Sequence, residues 1–185
     1  MGYRPGVSAL GPREKALLEE AEALTLETVR PQAIWTFPVD PETLGISDGI
    51  RRRIAGNRNV ACFALTAGGA LDQLITKLFA AGKVALGATV DACGSAAAEA
   101  VARLVQQEIA NRMKEEGKAV RIRLSPGYSG WPLSANELLL KASGGSELGI
   151  RVLSGGLLLP RKSVLGIIPV YEKEAMNPAL RKTDR

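Results

Sequence analysis

The spacing of hydrophobic and polar residues changes several times along the chain, and each change marks the boundary of a predicted element. Apolar residues at helical spacing predict four helices, at residues 12–29, 71–79, 84–116 and 135–142. Apolar runs bounded by proline, glycine or charged residues predict four strands, at residues 33–39, 60–66, 157–160 and 163–171. Because these elements do not alternate regularly, the pattern predicts an α+β fold: a single domain over residues 1–185 with a mostly antiparallel sheet.

The pattern over residues 84–116 predicts one long central helix. Its apolar face is predicted to comprise Val90, Ala97, Val101, Leu104, Val105, Ile109 and Met113. A polar row at four-residue spacing runs beside that face through Asp91, Ser95, Glu99 and Arg103. Small residues crowd the first half, so another backbone can approach closely there. Since no second acidic cluster accompanies the carboxylates, the polar row is interpreted as a solvated face.

The short predicted helix at residues 135–142 carries a start signal of its own. Ser134 stands at the N-cap position, and Glu137 follows three residues later. This spacing is typical of a capping box, in which the two side chains bond each other's backbone amides. The sequence therefore predicts that Ser134 caps this helix.

Composition agrees with a globular domain. The 185 residues suffice for one sizeable core, and 46% are apolar against 23% charged, an ordinary balance. The sequence has no uncharged apolar stretch of about eighteen residues and no signal-peptide pattern. We therefore expect a cytoplasmic protein that does not associate with membranes.

The formal net charge of +5 is a mild bias toward basic residues. The run Arg51-Arg52-Arg53 is its densest cluster, and the chain has no block of five or six like charges. We interpret the run as a solvated face, because binding to nucleic acid through phosphates needs many such contacts. Nucleic-acid binding stays the least favoured of the functional hypotheses.

The chain contains no histidine, which excludes Ser-His and Cys-His nucleophilic pairs and imidazole-based zinc sites made by its own residues. Cys62 and Cys93 lie in apolar segments without CxxC spacing, so they are predicted to be buried free thiols. Any chemistry would have to use carboxylates, Lys, Tyr, backbone groups or a group that a partner supplies, and we assign no catalytic residue and no metal ligand.

Residues 123–134, RLSPGYSGWPLS, combine two prolines, two glycines and two large aromatic side chains. One interpretation is a ligand loop: the Arg123 guanidinium suits a carboxylate, Pro126 fixes the backbone, Gly127 permits close approach, and Tyr128 offers a flat face with a hydroxyl. The other places Arg123 in a surface ion pair and uses Tyr128 and Trp131 to fill the core. The residues alone favour neither for Arg123 and Tyr128, whereas Trp131 is interpreted as a core plug.

The R-x-S-P-G-Y element followed by W-P-L-S resembles the activation domain of cobalamin-dependent methionine synthase, and most closely its free-standing versions. Further similarity follows in chain order at 1–4 (MGYR), 30–31 (RP), 63–68 (FALTAG), 91–96 (DACGSA), 148–150 (LGI) and 160–164 (PRKSV).

This resemblance implies that the chain binds S-adenosylmethionine. Arg123 would hold the methionine carboxylate, the backbone at Ser125 would serve the adenosyl end, and Tyr128 would lie near the methyl donor and the corrin. Pro126 and Gly127 complete the predicted binding set. For the amino group, which an acidic residue contacts in the family, Asp40 and Glu42 are the nearby carboxylates. Tyr171 is the candidate for a second ligand-binding tyrosine.

The resemblance also implies partners. In the family, cob(II)alamin takes an electron from a flavodoxin-like donor and a methyl group from S-adenosylmethionine. Cobalamin would be supplied by a separate cobalamin-binding methionine synthase or a related corrinoid protein, because this chain has no region for homocysteine, folate or cobalamin. The chain would then be an accessory component. The alternative is a non-catalytic module of the same fold that binds a small carboxylate ligand or a corrinoid protein.

Overall fold

The computed structural model describes residues 10–54 and 57–172, and it confirms the α+β class. The described residues form five α-helices: α1 (Pro12–Thr28), α2 (Asp48–Ile54), α3 (Gly69–Ala80), α4 (Val84–Glu115) and α5 (Asn136–Ser143). They also form six strands: β1 (Gln32–Val39), β2 (Val60–Thr66), β3 (Lys118–Val120), β4 (Arg151–Val152), β5 (Leu158–Leu159) and β6 (Ser163–Glu172). The predicted similarity at residues 1–4 lies outside the described residues.

The main sheet has four antiparallel strands in the order β1-β2-β6-β3, which confirms the predicted antiparallel sheet. Each residue of β2 is buried, as expected of a central strand covered on both faces. Its residues alternate between two cores. Val60, Cys62 and Ala64 face the cluster that contains Trp131 and the buried side chains of α2 and α5. Ala61, Phe63 and Leu65 face α4 on the other side of the sheet.

The long helix α4 covers one face of the sheet with its second half and packs on α1 and α3 with its first half. Its buried stripe differs from the predicted one: Ala98 and Ala102 are buried, while Leu104 is 64% exposed. A Cβ at Gly94 would lie 2.5 Å from Leu71 Cδ2, so the small residues admit α3 as predicted. The alanines occupy the buried stripe because α3 and the sheet approach too closely for larger side chains.

Among the described residues α4 is also the one helix long and apolar enough to span a membrane, judged by length and composition. Core helices of soluble proteins pass the same test, and here the helix packs on two other helices and the sheet. The expected cytoplasmic location and lack of membrane association stay predictions.

The predicted capping box at Ser134 is wrong. Residues 133–135 form a 3-10 turn after Pro132, and α5 begins at Asn136 without a side-chain cap. Asn136 instead donates from its side-chain amide to the Gly156 carbonyl at 2.8 Å. The 3-10 turn occupies the position that a capping serine needs. The bond from Asn136 connects α5 to the segment before β5.

The sequence patterns missed α2, β3 and β4, which are too short to show a period. In α2 only Ile50 and Ile54 are buried, one helical turn apart. This i, i+4 pair is the part of α2 that enters the core. The arginine run, residues 51–53, lies on the same helix.

Candidate functional site

The segment after β3 is held against the middle of β6. Leu124 and Ile167 exchange two backbone hydrogen bonds, both of 2.8 Å. Opposite them, a Cβ at Gly166 would lie 2.5 Å from the Leu124 carbonyl oxygen and 2.7 Å from Ser125 Oγ. Glycine at 166 therefore allows the loop to lie directly on the strand, with Arg123 and Ser125 on either side of the bridge.

A compact turn follows this bridge. The Gly127 amide donates to the Trp131 carbonyl at 2.8 Å, and the Trp131 amide donates to the Tyr128 carbonyl at 2.9 Å. The turn requires a left-handed backbone at Gly127, where φ is +95°, and at Ser129, where φ is +52°. These bonds shape the turn without any ligand.

The aromatic residues of the turn divide between core and surface. Trp131 is 1% exposed within the core around α5, which confirms its predicted role as a plug. Among the described residues its indole N–H has no hydrogen-bond partner. Tyr128 is 70% exposed, so the alternative that it fills the core is wrong. Its ring is available to whatever enters from solvent.

Ser47 and the first turn of α2 contact the backbone of this turn. Ser47 Oγ donates to the Ser129 carbonyl at 2.8 Å, and Gly49 approaches that carbonyl so closely that a Cβ would clash. The arginine run does not present a single surface. Arg51 pairs with Glu42, whereas Arg53 Nη1 points to Ser129 Oγ at 3.4 Å.

A cleft of about 920 Å³ lies between this loop, α4 and the start of β6. Four of the five predicted binding residues line it: Arg123, Ser125, Pro126 and Tyr128. The fifth, Gly127, is not in the lining and serves the turn instead. The apolar part of the wall includes side chains from four segments, namely Ile122, Leu133, Leu157, Leu158 and Val164.

Arg123 is bound on the α4 side of the cleft. Its guanidinium forms an ion pair with Glu99, and its Nη1 lies 3.4 Å from Gln106 Oε1. The Arg123 side chain is 21% exposed and that of Glu99 is 50% exposed. The ion pair that the second interpretation predicted for Arg123 is therefore present, but it lines a cleft rather than an open surface.

The carboxylates of the α4 polar row are partly exposed, as a solvated face requires, but they are also paired with basic side chains. Glu99 pairs with Arg123, and Asp91 Oδ1 lies 3.0 Å from Lys162 Nζ and 3.4 Å from an Arg161 Nη2. The row faces the loop before β6 and the segment after β3. The four-residue spacing placed Glu99 in the polar row of the predicted helix. It did not reveal the basic partners, which come from later in the chain.

Positive charge predominates in the cleft. Arg53, Arg103, Arg123 and Arg161 line it, and Glu99 is the one acidic side chain among its described lining residues. Arg161 is also paired outside the lining, with Asp72 and Asp91. Within the described residues Arg53 and Arg103 have no ion-pair partner, so these two side chains account for the excess positive charge of the cleft.

The remaining predicted contacts do not line the cleft. Asp40 accepts from the Glu42 amide at 3.0 Å and caps a 3-10 turn, while Glu42 pairs with Arg51. The Tyr171 hydroxyl donates to the Ile54 carbonyl at 2.9 Å, and burial raises the pKa of Tyr171. The structure therefore brings none of these three to the predicted ligand loop.

Both cysteines are free, as predicted. Cys62 is completely buried in β2, and desolvation raises the pKa of its thiol to about 12. Cys93 is half-buried, and burial is also the main cause of its raised pKa. Neither thiol lines the cleft.

Comparison with known proteins gives a structural match only. No family model matches the chain, and no curated protein matches it. The fold is similar to that in the crystal structure of the MetH reactivation domain bound to AdoHcy, with a TM-score of 0.62 and 14% sequence identity. The match covers 94% of this chain and 71% of that one. The chain thus shares the fold of the MetH reactivation domain.

Proposed function

We propose that this protein binds S-adenosylmethionine in the cleft beside Arg123. The observation that carries the proposal is the gathering of Arg123, Ser125, Pro126 and Tyr128 on one cleft wall. The cleft volume of about 920 Å³ suits a small-molecule ligand, since such sites span roughly 300–1,000 Å³. The shared fold adds support, because the structure of the MetH reactivation domain contains AdoHcy.

Arg123 would bind the carboxylate of the ligand. A guanidinium carries five N–H donors in a planar fork, and Glu99 and Gln106 each engage one nitrogen of Arg123. The remaining donors can accept a carboxylate in a charge-assisted bond. Ser125 would contribute its backbone, and the buried Pro126 would hold that backbone in place.

We further propose that the bound ligand serves the reductive remethylation of cob(II)alamin on a separate methionine synthase or related corrinoid methyltransferase. A flavodoxin-like donor would supply one electron and the ligand one methyl group, leaving a neutral thioether where the sulfonium was. Exposed Tyr128 would meet the partner at the cleft mouth. This chain's contribution would be to orient the methyl donor and to exclude water.

Isothermal titration with S-adenosylmethionine tests the binding step. We expect Arg123→Ala to weaken binding by roughly 10- to 100-fold, the usual effect of losing a hydrogen bond to a charged group. Arg121→Ala is the matched control, because Arg121 lies two residues earlier, contacts the Tyr171 ring and does not line the cleft. Absence of heat with the unchanged protein, or equal affinity in Arg123→Ala, would disprove the proposal.

A second candidate function is a non-catalytic module for an anionic small ligand. The excess charge of Arg53 and Arg103 favours it, because S-adenosylmethionine is itself a net cation. Spectroscopic measurement of cob(II)alamin remethylation, with the partner and a reductant present, distinguishes the two. Ligand binding without any acceleration of remethylation would favour the passive module.

A further inference from the structure

The one acidic side chain in the described lining of the cleft belongs to Glu99, and it contacts Arg123 directly. The pair joins α4 to the segment before the Leu124 bridge. Half of the Glu99 side chain is exposed, compared with a fifth for Arg123. Glu99 therefore presents its carboxylate at the cleft surface, beside the guanidinium.

An α-amino acid carries a carboxylate and an ammonium group on the same carbon atom. A site that binds both needs a cation and an anion side by side, in complementary order. The Arg123–Glu99 pair is such an arrangement already in the unbound protein. A carboxylate has two oxygens and about four acceptor positions, so Glu99 can bind an ammonium group while it remains bonded to Arg123.

No other carboxylate of the described chain competes for this role. Asp40 and Glu42 do not line the cleft, and their oxygens bind a backbone amide and Arg51. Asp91 is occupied by Lys162 and Arg161. Near the uncompensated Arg53 and Arg103, a cationic amino group also needs an anion to offset repulsion.

We infer that Glu99 binds the α-ammonium group of the ligand and makes the cleft selective for an intact amino-acid end. The inference rests on the proposed binding of S-adenosylmethionine. It assigns a specificity-determining role to a residue on α4, outside the predicted ligand loop.

The test compares S-adenosylmethionine with its deamino analogue, which keeps the carboxylate and the sulfonium but has hydrogen in place of the amino group. In Glu99→Gln we expect affinity for S-adenosylmethionine to fall roughly 10- to 100-fold, with the analogue within about 2-fold of its original affinity. Glu108→Gln is the matched control, because Glu108 is exposed on the same helix and does not line the cleft.

Several results would overturn the assignment. If Glu99→Gln loses affinity for both ligands equally, Glu99 acts only through Arg123. An unchanged or raised affinity for S-adenosylmethionine would mean that Glu99 does not hold the ammonium group. If the unchanged protein binds neither ligand, the proposed function fails and the assignment fails with it. Thermal unfolding of Glu99→Gln checks that the variant is folded.

Discussion

Arg123 illustrates at the residue scale how a proposed binding group can already have partners in the unbound protein. Glu99 and Gln106 hold the guanidinium in one orientation, and Leu124 anchors the backbone next to it. Ordering a long arginine side chain costs roughly 1.5–2 kcal/mol. The Glu99–Arg123 pair already orders this side chain in the unbound protein, so the proposed amino-acid ligand would not have to do so on binding.

Cys62 provides a pH test of the buried strand. Its thiol has a pKa of about 12 in the folded protein against an ordinary 9.0. The unfolded chain therefore releases this proton first as the pH rises. The stabilisation is fully present below pH 9 and is lost as pH rises toward 12, at about 1.4 kcal/mol per pH unit.

Urea unfolding at pH 8 and pH 10 measures this effect. We expect the unchanged protein to lose about 1.4 kcal/mol more stability over this interval than Cys62→Ala does. Other groups titrate equally in both proteins, so their contributions cancel. Identical losses in the two proteins would contradict the burial of Cys62.

Individual residues could be interpreted from sequence where local chemistry decides their position. Trp131 was predicted as a core plug, and it is buried. The pairing of Glu99 with Arg123 could not be predicted, because it depends on how α4 crosses the strand that holds the loop. For Tyr128 the sequence left two interpretations open, and its 70% exposure in the structure excludes the one that placed it in the core.

At the scale of elements, Gly166 determines whether the ligand loop can lie on β6. We expect Gly166→Ala to destabilise the protein by roughly 1–3 kcal/mol, because its Cβ would collide with Leu124 O and Ser125 Oγ. Displacement of the loop should also weaken ligand binding. Urea unfolding and titration measure the two effects.

Gly69→Ala is the matched control for this substitution. A Cβ at Gly69 would meet Pro160 Cγ at 3.6 Å, an ordinary contact, and the residue begins α3. We expect stability to change by less than about 1 kcal/mol and binding to stay the same. If both variants behave alike, close approach at Gly166 is not what positions the loop.

The predictability of elements depended on their length. The patterns identified α1, α4, β2 and β6 nearly to the residue, since several periods lie within each. They missed α2, which has a single pair of buried isoleucines and yet supports the turn at Ser129. The conformation of a short element depends on its neighbours, so its sequence shows no hydrophobic period.

At the scale of the whole molecule, ligand binding should stabilise the fold. S-adenosylmethionine at 100 times its Kd would add about 2.7 kcal/mol, which corresponds to a rise in Tm of about 5–10 °C for a domain of this size. Thermal unfolding with and without ligand measures the shift. Arg123→Ala should show a much smaller rise at the same concentration, and an equal rise in both proteins would contradict the assigned site.

The fold class was accessible from sequence because the irregular order of helices and strands favours α+β over α/β. The similarity of the fold to the MetH reactivation domain persists at 14% identity, where most side chains differ. A TM-score of 0.62 over 94% of this chain means that the course of the backbone is similar. The charge excess of the cleft, by contrast, comes from arginines on separate elements and could be found only in three dimensions.

The position of β6 in the chain has a consequence for biosynthesis. β6 lies between β2 and β3 in the sheet, and it also carries the Leu124 bridge. The nascent chain must therefore wait for residues 163–172 before β2 gains its second neighbour and the ligand loop its support. Contacts so distant in sequence form slowly, so we expect α4 to emerge from the ribosome with its sheet-facing side covered only by β1 and β2, and open to chaperones until β6 follows.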